Sequence, residues 1–218
     1  MLLLLVRHGQ SLGNVEARIQ GSDDPLTDFG RLQARTVAAR LARTQAVTHL
    51  YASPLVRAVE TASIIGEAVG QTPIPIAGLA EIDAGRAAGL LWSDWRLANP
   101  ELAEIMADPN RPMDRGWEGG ENGQQFGARV IAAYDEIVTR HVGTDDVVVA
   151  VGHGGSLAWI AAKAHGDPLD IWPGARGGFL NCSISELAID RDGHGEPGAW
   201  NQDSHLAGLA EGSREASP

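Results

Sequence analysis

The sequence predicts an α/β fold in which helices cover both faces of a mostly parallel central sheet, a three-layer αβα sandwich. Two observations carry this prediction. Short runs rich in Leu and Val, at 2–6 and 147–151, end abruptly at polar residues, as buried parallel strands do. Segments with a helical spacing of apolar residues alternate with such runs along the chain, and this alternation is typical of a sheet between two helical layers.

The other elements follow from the same two patterns. The predicted strands are 2–6, 48–52, 74–77, 147–151 and 180–189, with 199–201 as a partner of the last. The predicted helices run from Thr27 or Asp28 to about Arg43, from Ser53 to about Val69, from about Gln124 to His141 and from Ser156 to Ala164. Ser53 is the predicted N-cap of the second helix, and Pro54 occupies its first turn.

One domain, residues 1–205, is expected, because the chain is long enough for a single core and contains no linker that would divide it. Residues 84–120 contain several Gly and Pro and show no clean period. This stretch is therefore the candidate for a lid-like insertion. The last residues, 206–218, are expected to form a flexible tail.

Composition limits the environment and the partners. The N-terminal apolar run is too short for a membrane span and lacks the flanks of a secretory signal, so a cytoplasmic location is expected by default. The one cysteine, Cys182, cannot form an internal disulfide, which fits a reducing compartment. A formal net charge of -11 argues against nucleic acid and anionic membranes as partners. A small anionic substrate is compatible with it, and the oligomeric state, a homodimer included, is left open.

Two histidines follow two predicted strands directly. Arg7-His8-Gly9 comes after 2–6, and Gly152-His153-Gly154-Gly155 comes after 147–151. The carboxyl ends of parallel strands are where open α/β sheets bind ligands, so both histidines could share one crevice. His8 could be a nucleophile, a general base, a metal ligand or only a polar residue at a strand end. Arg7 beside it disfavours the protonated imidazole and so favours the nucleophile. Gly9 is expected to leave room for a ligand to approach the backbone closely.

Four other residues are weaker candidates. Arg57 lies in the first turn of a helix, where the dipole disfavours a cation unless an anion is bound; the alternative is a surface pair with Glu60. His153 precedes helical amides that could hold an anion, or it is a core histidine. Asn14 could add an amide donor or only form a turn. Glu81 is one of 28 acidic residues, and nothing local marks it as catalytic.

Several other chemistries lack their motifs. The chain has no His-Glu-x-x-His and no cysteine pair, which argues against a metal site. It also has no Gly-x-Ser-x-Gly, which argues against a serine esterase. A cysteine-dependent phosphatase needs an arginine six residues after the cysteine, but Ala188 stands there. Asp190-Arg191-Asp192 superficially suggests an aspartyl nucleophile, although Asp-Gly between two strands is better explained as a hairpin turn.

Four segments taken together resemble the histidine phosphatase superfamily, also called the phosphoglycerate mutase-like family. They are Leu5 to Ser11 with Asn14, Ser53 to Ala62, Leu79 to Gly85, and Gly152 to Leu157. The similarity runs in order over nearly the whole chain and also includes Pro25-Leu26-Thr27 with Gly30, Gly119-Gly120-Glu121, and Asn181. Each motif alone is weakly specific, whereas four in this order are strongly specific.

The resemblance implies a phosphoglycerate mutase-like fold and a role for each motif. His8 would attack phosphorus and become a phosphohistidine, while Glu81 would protonate the leaving group and later deprotonate water. The residues implied to hold the phosphoryl oxygens are Arg7, Asn14, Arg57, His153 and Gly154. Phosphoryl transfer requires mainly positioning and cations around three oxygens, which these arginines would supply, so neither a metal nor another cofactor is expected.

The resemblance leaves two reactions and one inactive alternative. Mutases of the family typically carry Glu-Arg-His-Tyr-Gly and a longer insertion, whereas this chain has Glu81-Ile82-Asp83-Ala84-Gly85 and a shorter segment. The predicted function is therefore that of a metal-independent phosphomonoesterase, a broad-specificity histidine acid phosphatase acting on small phosphorylated metabolites. A cofactor-dependent phosphoglycerate mutase is the first alternative, and an inactive phospholigand-binding module is the second. Arginines and tryptophans of 84–120 either contact the substrate or only anchor packing.

Overall fold

The computed structural model describes residues 1–108, 111–173 and 178–209, and these contain a six-stranded sheet. The strands are β1 (Leu2–Arg7), β2 (His49–Ala52), β3 (Ile74–Pro75), β4 (Val147–Gly152), β5 (Ile184–Ile189) and β6 (Gly195–Pro197). Their order across the sheet is β3-β2-β4-β1-β5-β6. The first four are mutually parallel, and β5 and β6 are added antiparallel at one side, so the predicted mostly parallel sheet is confirmed.

Helices cover both faces of this sheet. Those of the described residues are α1 (Leu12–Val15), α2 (Asp28–Thr44), α3 (Val56–Val69), α4 (Trp92–Ala98), α5 (Pro100–Ala107), α6 (Gly123–His141) and α7 (Gly154–His165). Short 3₁₀ turns lie at Ala77–Leu79, Gly85–Ala87 and Ser204–Leu206. No helix of the described residues is long and apolar enough to cross a membrane.

Alternation along β1 divides the core into two layers. Leu3 and Leu5 belong to the apolar cluster that contains residues of α6 and α7, while Leu4 and Val6 belong to the cluster that contains residues of α2 and α3. Successive strand side chains point to opposite faces, so a run that is apolar at every position must be covered on both. The three-layer αβα arrangement is confirmed.

Element boundaries differ from the predictions at α3, β3, β5 and β6. The strand expected at 74–77 ends at Pro75, where a 3₁₀ turn follows at Ala77–Leu79, and Pro54 precedes α3 instead of lying in its first turn. Ser53 is not the N-cap of α3, which begins at Val56 after Leu55, because the Ser53 hydroxyl is engaged with a histidine described below. The strand expected at 180–189 begins at Ile184. Its partner is β6 at Gly195–Pro197, not 199–201, although Ala199 O still accepts a hydrogen bond from Glu186 N. The hairpin predicted at Asp-Gly does connect β5 to β6.

The predicted lid contains α4, α5 and an aromatic cluster. The Trp92, Trp95 and Trp117 rings lie with centroids 4.9 to 5.9 Å apart, and the last two are buried. The three rings pack on each other and, as shown below, also line a cavity. The tail at 206–218 stays a prediction, since 210–218 lie outside the described residues.

Candidate active site

The two histidines singled out in the sequence lie at neighbouring strand ends. β1 and β4 are parallel and in register, with Arg7 opposite Gly152, so His8 and His153 leave the sheet side by side. His8 N donates to Gly152 O at 3.0 Å, which couples the two strand ends. The ring centroids are 5.0 Å apart, and both side chains are buried. The crevice expected from the sequence therefore exists.

The His8 ring is held as a neutral base. Its Nδ1 donates to Gly9 O at 2.7 Å, since a carbonyl oxygen can only accept, and this leaves Nε2 with the lone pair. Burial holds the pKa of His8 well below its usual value, and the positive charges of Arg57 and Arg7 lower it further. An unprotonated nitrogen with a fixed direction is what nucleophilic attack requires.

His153 has a partner on one ring nitrogen. Its Nε2 lies 2.7 Å from Ser53 Oγ, which itself accepts from Leu55 N. This hydrogen bond fixes the orientation of the His153 ring beside that of His8. Burial, then Arg57 and His8, hold the pKa of His153 well below its usual value. The ring is therefore a neutral, buried neighbour of the His8 ring, at 5.0 Å between the centroids.

Two arginines flank the histidines from different elements. Arg7 is the last residue of β1, and its Nη1 donates to Phe179 O at 2.5 Å. Arg57 is the second residue of α3, and its Nη1 donates to Gly21 O at 2.7 Å. Both are almost fully buried, and burial lowers the pKa of Arg7 to about 10. Each guanidinium remains charged at neutral pH, so the pair forms a site for an anion.

Glu81 lies at the same place through two backbone contacts. Its Oε2 accepts from Gly155 N at 2.9 Å, near the start of α7, and its Oε1 accepts from Ile82 N at 3.0 Å. A Cβ at Gly155 would clash with Glu81 Oε1, so glycine is required there for the carboxylate to come this close. Glu81 and His8 line the same cavity.

An arginine of α6 holds the loop that carries Glu81. Arg129 donates to the backbone oxygens of Gly78, Ala80 and Glu81 at 3.0 to 3.2 Å. It also forms an ion pair with Glu121 at 2.6 Å, and Glu121 in turn accepts from Asp83 N. Because Arg129 makes several hydrogen bonds to the segment that carries Glu81, we assign it the role of positioning that carboxylate.

The remaining predicted residues lie at the rim of the crevice. Asn14 and Gly154 line the cavity with His8. Asn14 Oδ1 accepts from Ser11 N at 3.1 Å, so its NH₂ is the group able to donate to an anion. Asn181 donates to His8 O at 2.8 Å and thereby fixes the loop after β1. Of the site residues proposed from the sequence, all except His153 line this cavity, and the His153 ring adjoins that of His8.

Two local interpretations from the sequence are replaced. Gly9 is needed because a side chain would clash with Gly30 O of α2, and not because a ligand approaches its backbone. Arg57 is not paired with Glu60, whose carboxylate binds Arg31 at 3.0 Å. Both differences arise from contacts with α2, and contacts between residues distant in sequence cannot be predicted from local sequence patterns.

The roles of three residues at this site are not predicted from the sequence. Ser53 was assigned to a helix cap, Gly155 to a general anion site, and Arg129 to no role. An arginine at position 129 belongs to the exposed face of an amphipathic helix by spacing alone. A glycine pair after a strand histidine was the one available hint, because a second glycine is not needed for a helix start.

Groups able to hold a metal ion lie elsewhere in the described residues. One consists of His49, His141 and Asp146, and the other of Asp190, Asp192 and His194. Both occur at the opposite edge of the sheet, where β2 and β4 begin and β5 ends. The crevice at His8 instead presents a neutral histidine, two fixed cations and a carboxylate, which suit phosphoryl transfer.

Comparison with known proteins agrees with this arrangement. The family model of the histidine phosphatase superfamily (branch 1) matches residues 3–203, and this chain belongs to that superfamily. Its relatives include a protein named glucosyl-3-phosphoglycerate phosphatase from Mycolicibacterium vanbaalenii, 35% identical over 91% of this chain and 88% of the other.

Two further matches span most of the chain. A probable phosphoglycerate mutase GpmB from Yersinia pestis is 33% identical over 84% of this chain and 82% of the other. The structure of Bacillus stearothermophilus YhfR superposes with a TM-score of 0.83 at 29% identity, covering 94% and 98%. The relatives therefore bear both phosphatase and mutase names. Membership of this superfamily, together with relatives named as phosphatases, supports a phosphatase activity for this chain.

Proposed function

We propose that this protein is a metal-independent phosphomonoesterase that hydrolyses small phosphorylated metabolites through a phosphohistidine on His8. The observation that supports it best is the buried, neutral His8 with its Nδ1 bonded to Gly9 O and two arginines beside it. The lone pair on Nε2 attacks phosphorus, and the bond to the leaving oxygen breaks. Arg7 and Arg57 neutralise the charge on the phosphoryl oxygens, with Asn14, Gly154 and His153 as further donors.

Glu81 completes the reaction as acid and then base. It gives its proton to the leaving oxygen, which departs as an alcohol. The carboxylate then takes a proton from water, whose oxygen attacks phosphorus and releases phosphate and neutral His8. Such assistance contributes about 10²- to 10⁴-fold. The cytoplasmic location and the homodimer that the sequence leaves open stay predictions.

A mutase is the second candidate, because some relatives bear that name. In a mutase the phosphoryl group on His8 returns to another oxygen of phosphoglycerate, and no phosphate accumulates. An inactive module would bind phosphate without turnover. The three functions differ in what becomes of the phosphoryl group, so one assay separates them.

The test combines phosphate release with labelling of the enzyme. A panel of sugar phosphates, phosphoglycerates, phosphoamino acids and nucleotides is assayed at several pH values with a chelator present. We expect phosphate release with the chelator, and acid-labile label on His8 in quenched enzyme. Isomerised phosphoglycerate without free phosphate would establish the mutase, while full activity of His8→Ala would overturn the mechanism altogether.

A further inference from the structure

The cavity at His8 is much larger than a phosphoryl group. Its volume is about 980 Å³, at the upper end of the roughly 300–1,000 Å³ that small-molecule sites occupy. The phosphoryl site at Arg7, His8 and Arg57 forms only one part of its lining. The remainder must be filled by the leaving group, by water or by both.

Much of that remainder is apolar and aromatic. On the lid side lie Trp92, Trp95 and Trp117, and Trp172 lies on another part of the lining. Trp172 is fixed by ring contacts with Trp159, at 6.1 Å between centroids, and with Phe126 at 6.0 Å. Indole rings offer flat apolar surfaces, which favour a flat ring in the ligand.

The cavity has the opposite charge balance from the whole chain. The protein has 28 acidic against 17 basic residues. Among the described residues, the charged ones that line the cavity are Arg7, Arg18, Arg57, Arg96 and Arg111 against Glu81 and Asp167. A cation excess inside a concave, low-dielectric surface attracts anions more strongly than the net charge would indicate. Arg7 and Arg57 belong to the proposed phosphoryl site, so three arginines of the lining lie outside it.

Of these three, Arg111 is the one fixed in place. Arg18 is ion-paired with Glu16, and Arg96 is exposed at 5.4 Å from the Trp92 ring centroid. The Arg111 guanidinium lies 3.7 Å from the Trp172 centroid, and its Nη1 donates to Met106 O at 2.7 Å. Burial lowers the pKa of Arg111 to about 10, and the nearby Asp108 carboxylate acts in the opposite direction. A guanidinium has five N–H donors, so the stacking and the bond to Met106 O orient the group, and further N–H donors can bind a ligand in the cavity that Arg111 lines.

We infer that the preferred leaving group carries a flat ring and a second anionic group, the ring packing on the tryptophans and the second anion binding Arg111. This inference rests on the proposed function for its chemistry, since it describes what is attached to the phosphoryl group. Arg111 and Trp172 then determine specificity without taking part in bond breaking. The substrate class is that of phosphate monoesters whose alcohol portion is an anionic ring compound.

Stable phosphonates test the subsite without turnover. Calorimetry measures the binding of ethylphosphonate, benzylphosphonate and 4-carboxybenzylphosphonate to the wild type. We expect about tenfold tighter binding at each step, because the ring buries apolar area and the carboxylate adds a charge-assisted hydrogen bond. Equal affinity for all three would overturn the inference.

Matched variants assign each step to its residue. Arg111→Gln is expected to abolish the difference between the carboxylated and plain benzyl compounds while keeping the preference of benzyl over ethyl. Trp172→Leu is expected to weaken the ring preference instead. Arg115→Gln makes the same change at an exposed arginine outside the cavity lining and serves as control. If Arg115→Gln abolished the carboxylate preference as Arg111→Gln does, the assignment would be wrong.

Hydrolysis of the corresponding phosphate esters separates this inference from the proposed function. If ethyl, phenyl and 4-carboxyphenyl phosphate are hydrolysed with equal kcat/KM, the phosphatase stands and the subsite fails. If the phosphonate preferences hold but no ester releases phosphate, the subsite stands as a binding site and the proposed function fails. For Arg111→Gln we expect KM for the carboxylated ester to rise about tenfold with kcat for phenyl phosphate retained.

Discussion

Two histidine pairs lie at opposite edges of the same sheet with nearly the same mutual geometry. The rings of His8 and His153 have centroids 5.0 Å apart and an interplanar angle of 54°; those of His49 and His141 have 4.3 Å and the same angle. Ring geometry alone does not distinguish the two pairs. Their different neighbours must therefore determine what each pair does.

The neighbours of the His49–His141 pair satisfy it. His141 Nδ1 lies 2.8 Å from Asp146 Oδ2, and its Nε2 lies 2.9 Å from the buried hydroxyl of Tyr51. The hydrogen bond from His141 holds the pKa of the Asp146 carboxyl below its usual value. Both nitrogens of His141 are engaged within the protein, so this pair connects α6 to the start of β4.

The neighbours of the His8–His153 pair leave it unsatisfied. Two arginines adjoin the rings, and the carboxylate of this region, Glu81, is bound by backbone amides. His153 Nδ1 has no partner within the described residues. Burying such groups is costly unless a ligand completes them, and a costly arrangement of this kind is typical of an active site.

The largest expected effect comes from removing one ring of each pair. We expect His8→Ala to lower kcat by about 10³-fold or more, because no other group can form the bond to phosphorus. His141→Gln, with the same loss of an imidazole at the other edge, is expected to retain kcat and to lower the melting temperature. Steady-state phosphate release and thermal unfolding of both variants provide the comparison. Comparable activity losses in the two would mean that the edges are not functionally distinct.

The second-largest effect is expected from displacing the Glu81 carboxylate beside His8. We expect Gly155→Ala to lower kcat by about 10²-fold, because a Cβ would clash with Glu81 Oε1 and displace the acid. The double variant with Glu81→Gln reports the cause. If Gly155→Ala acts through Glu81, the double variant is no slower than Glu81→Gln alone, whereas additive losses would show that the glycine acts by another route.

The sequence predicted the strand ends better than the contacts between elements. His8 and His153 were identifiable because each follows an apolar run directly, and parallel strands bring such residues to one edge. The role of Ser53 was missed, since it depends on a bond to His153, 100 positions away. Gly9 was misread for the same reason, because its neighbour Gly30 belongs to α2. Local patterns report the backbone period; side-chain partners come from packing that one sequence does not show.

The polar partners of the two pairs allow a comparison between matched hydroxyl deletions. Ser53→Ala removes the partner of His153 Nε2, and we expect about a tenfold loss of kcat/KM because the orientation of the ring beside His8 is no longer held. Tyr51→Phe removes the partner of His141 Nε2, and we expect kcat/KM to be unchanged but the free energy of unfolding to fall by about 1–3 kcal/mol. Activity assays and urea unfolding of both variants measure the two effects. Loss of kcat/KM in Tyr51→Phe would contradict the separation.

The smallest expected effect is on the pH dependence of stability. The two histidine pairs differ in the pH range over which the free energy of unfolding decreases. In the folded state the pKa values of His8 and His153 are held below the value of about 6.5 that an unfolded histidine has. The unfolded chain therefore binds more protons as pH falls, and the stability present above about pH 6.5 decreases below it, by up to about 1.4 kcal/mol per pH unit for each histidine.

For Asp146 the lowered pKa places the corresponding loss below about pH 4 instead. Urea unfolding of the wild type between about pH 7.5 and pH 3.5 should show both ranges. We expect His153→Gln to flatten the curve between about pH 6.5 and pH 5, and Asp146→Asn to flatten it only near pH 4 and below. If His153→Gln left the curve between about pH 6.5 and pH 5 unchanged, His153 would not be held in its neutral form in the folded protein.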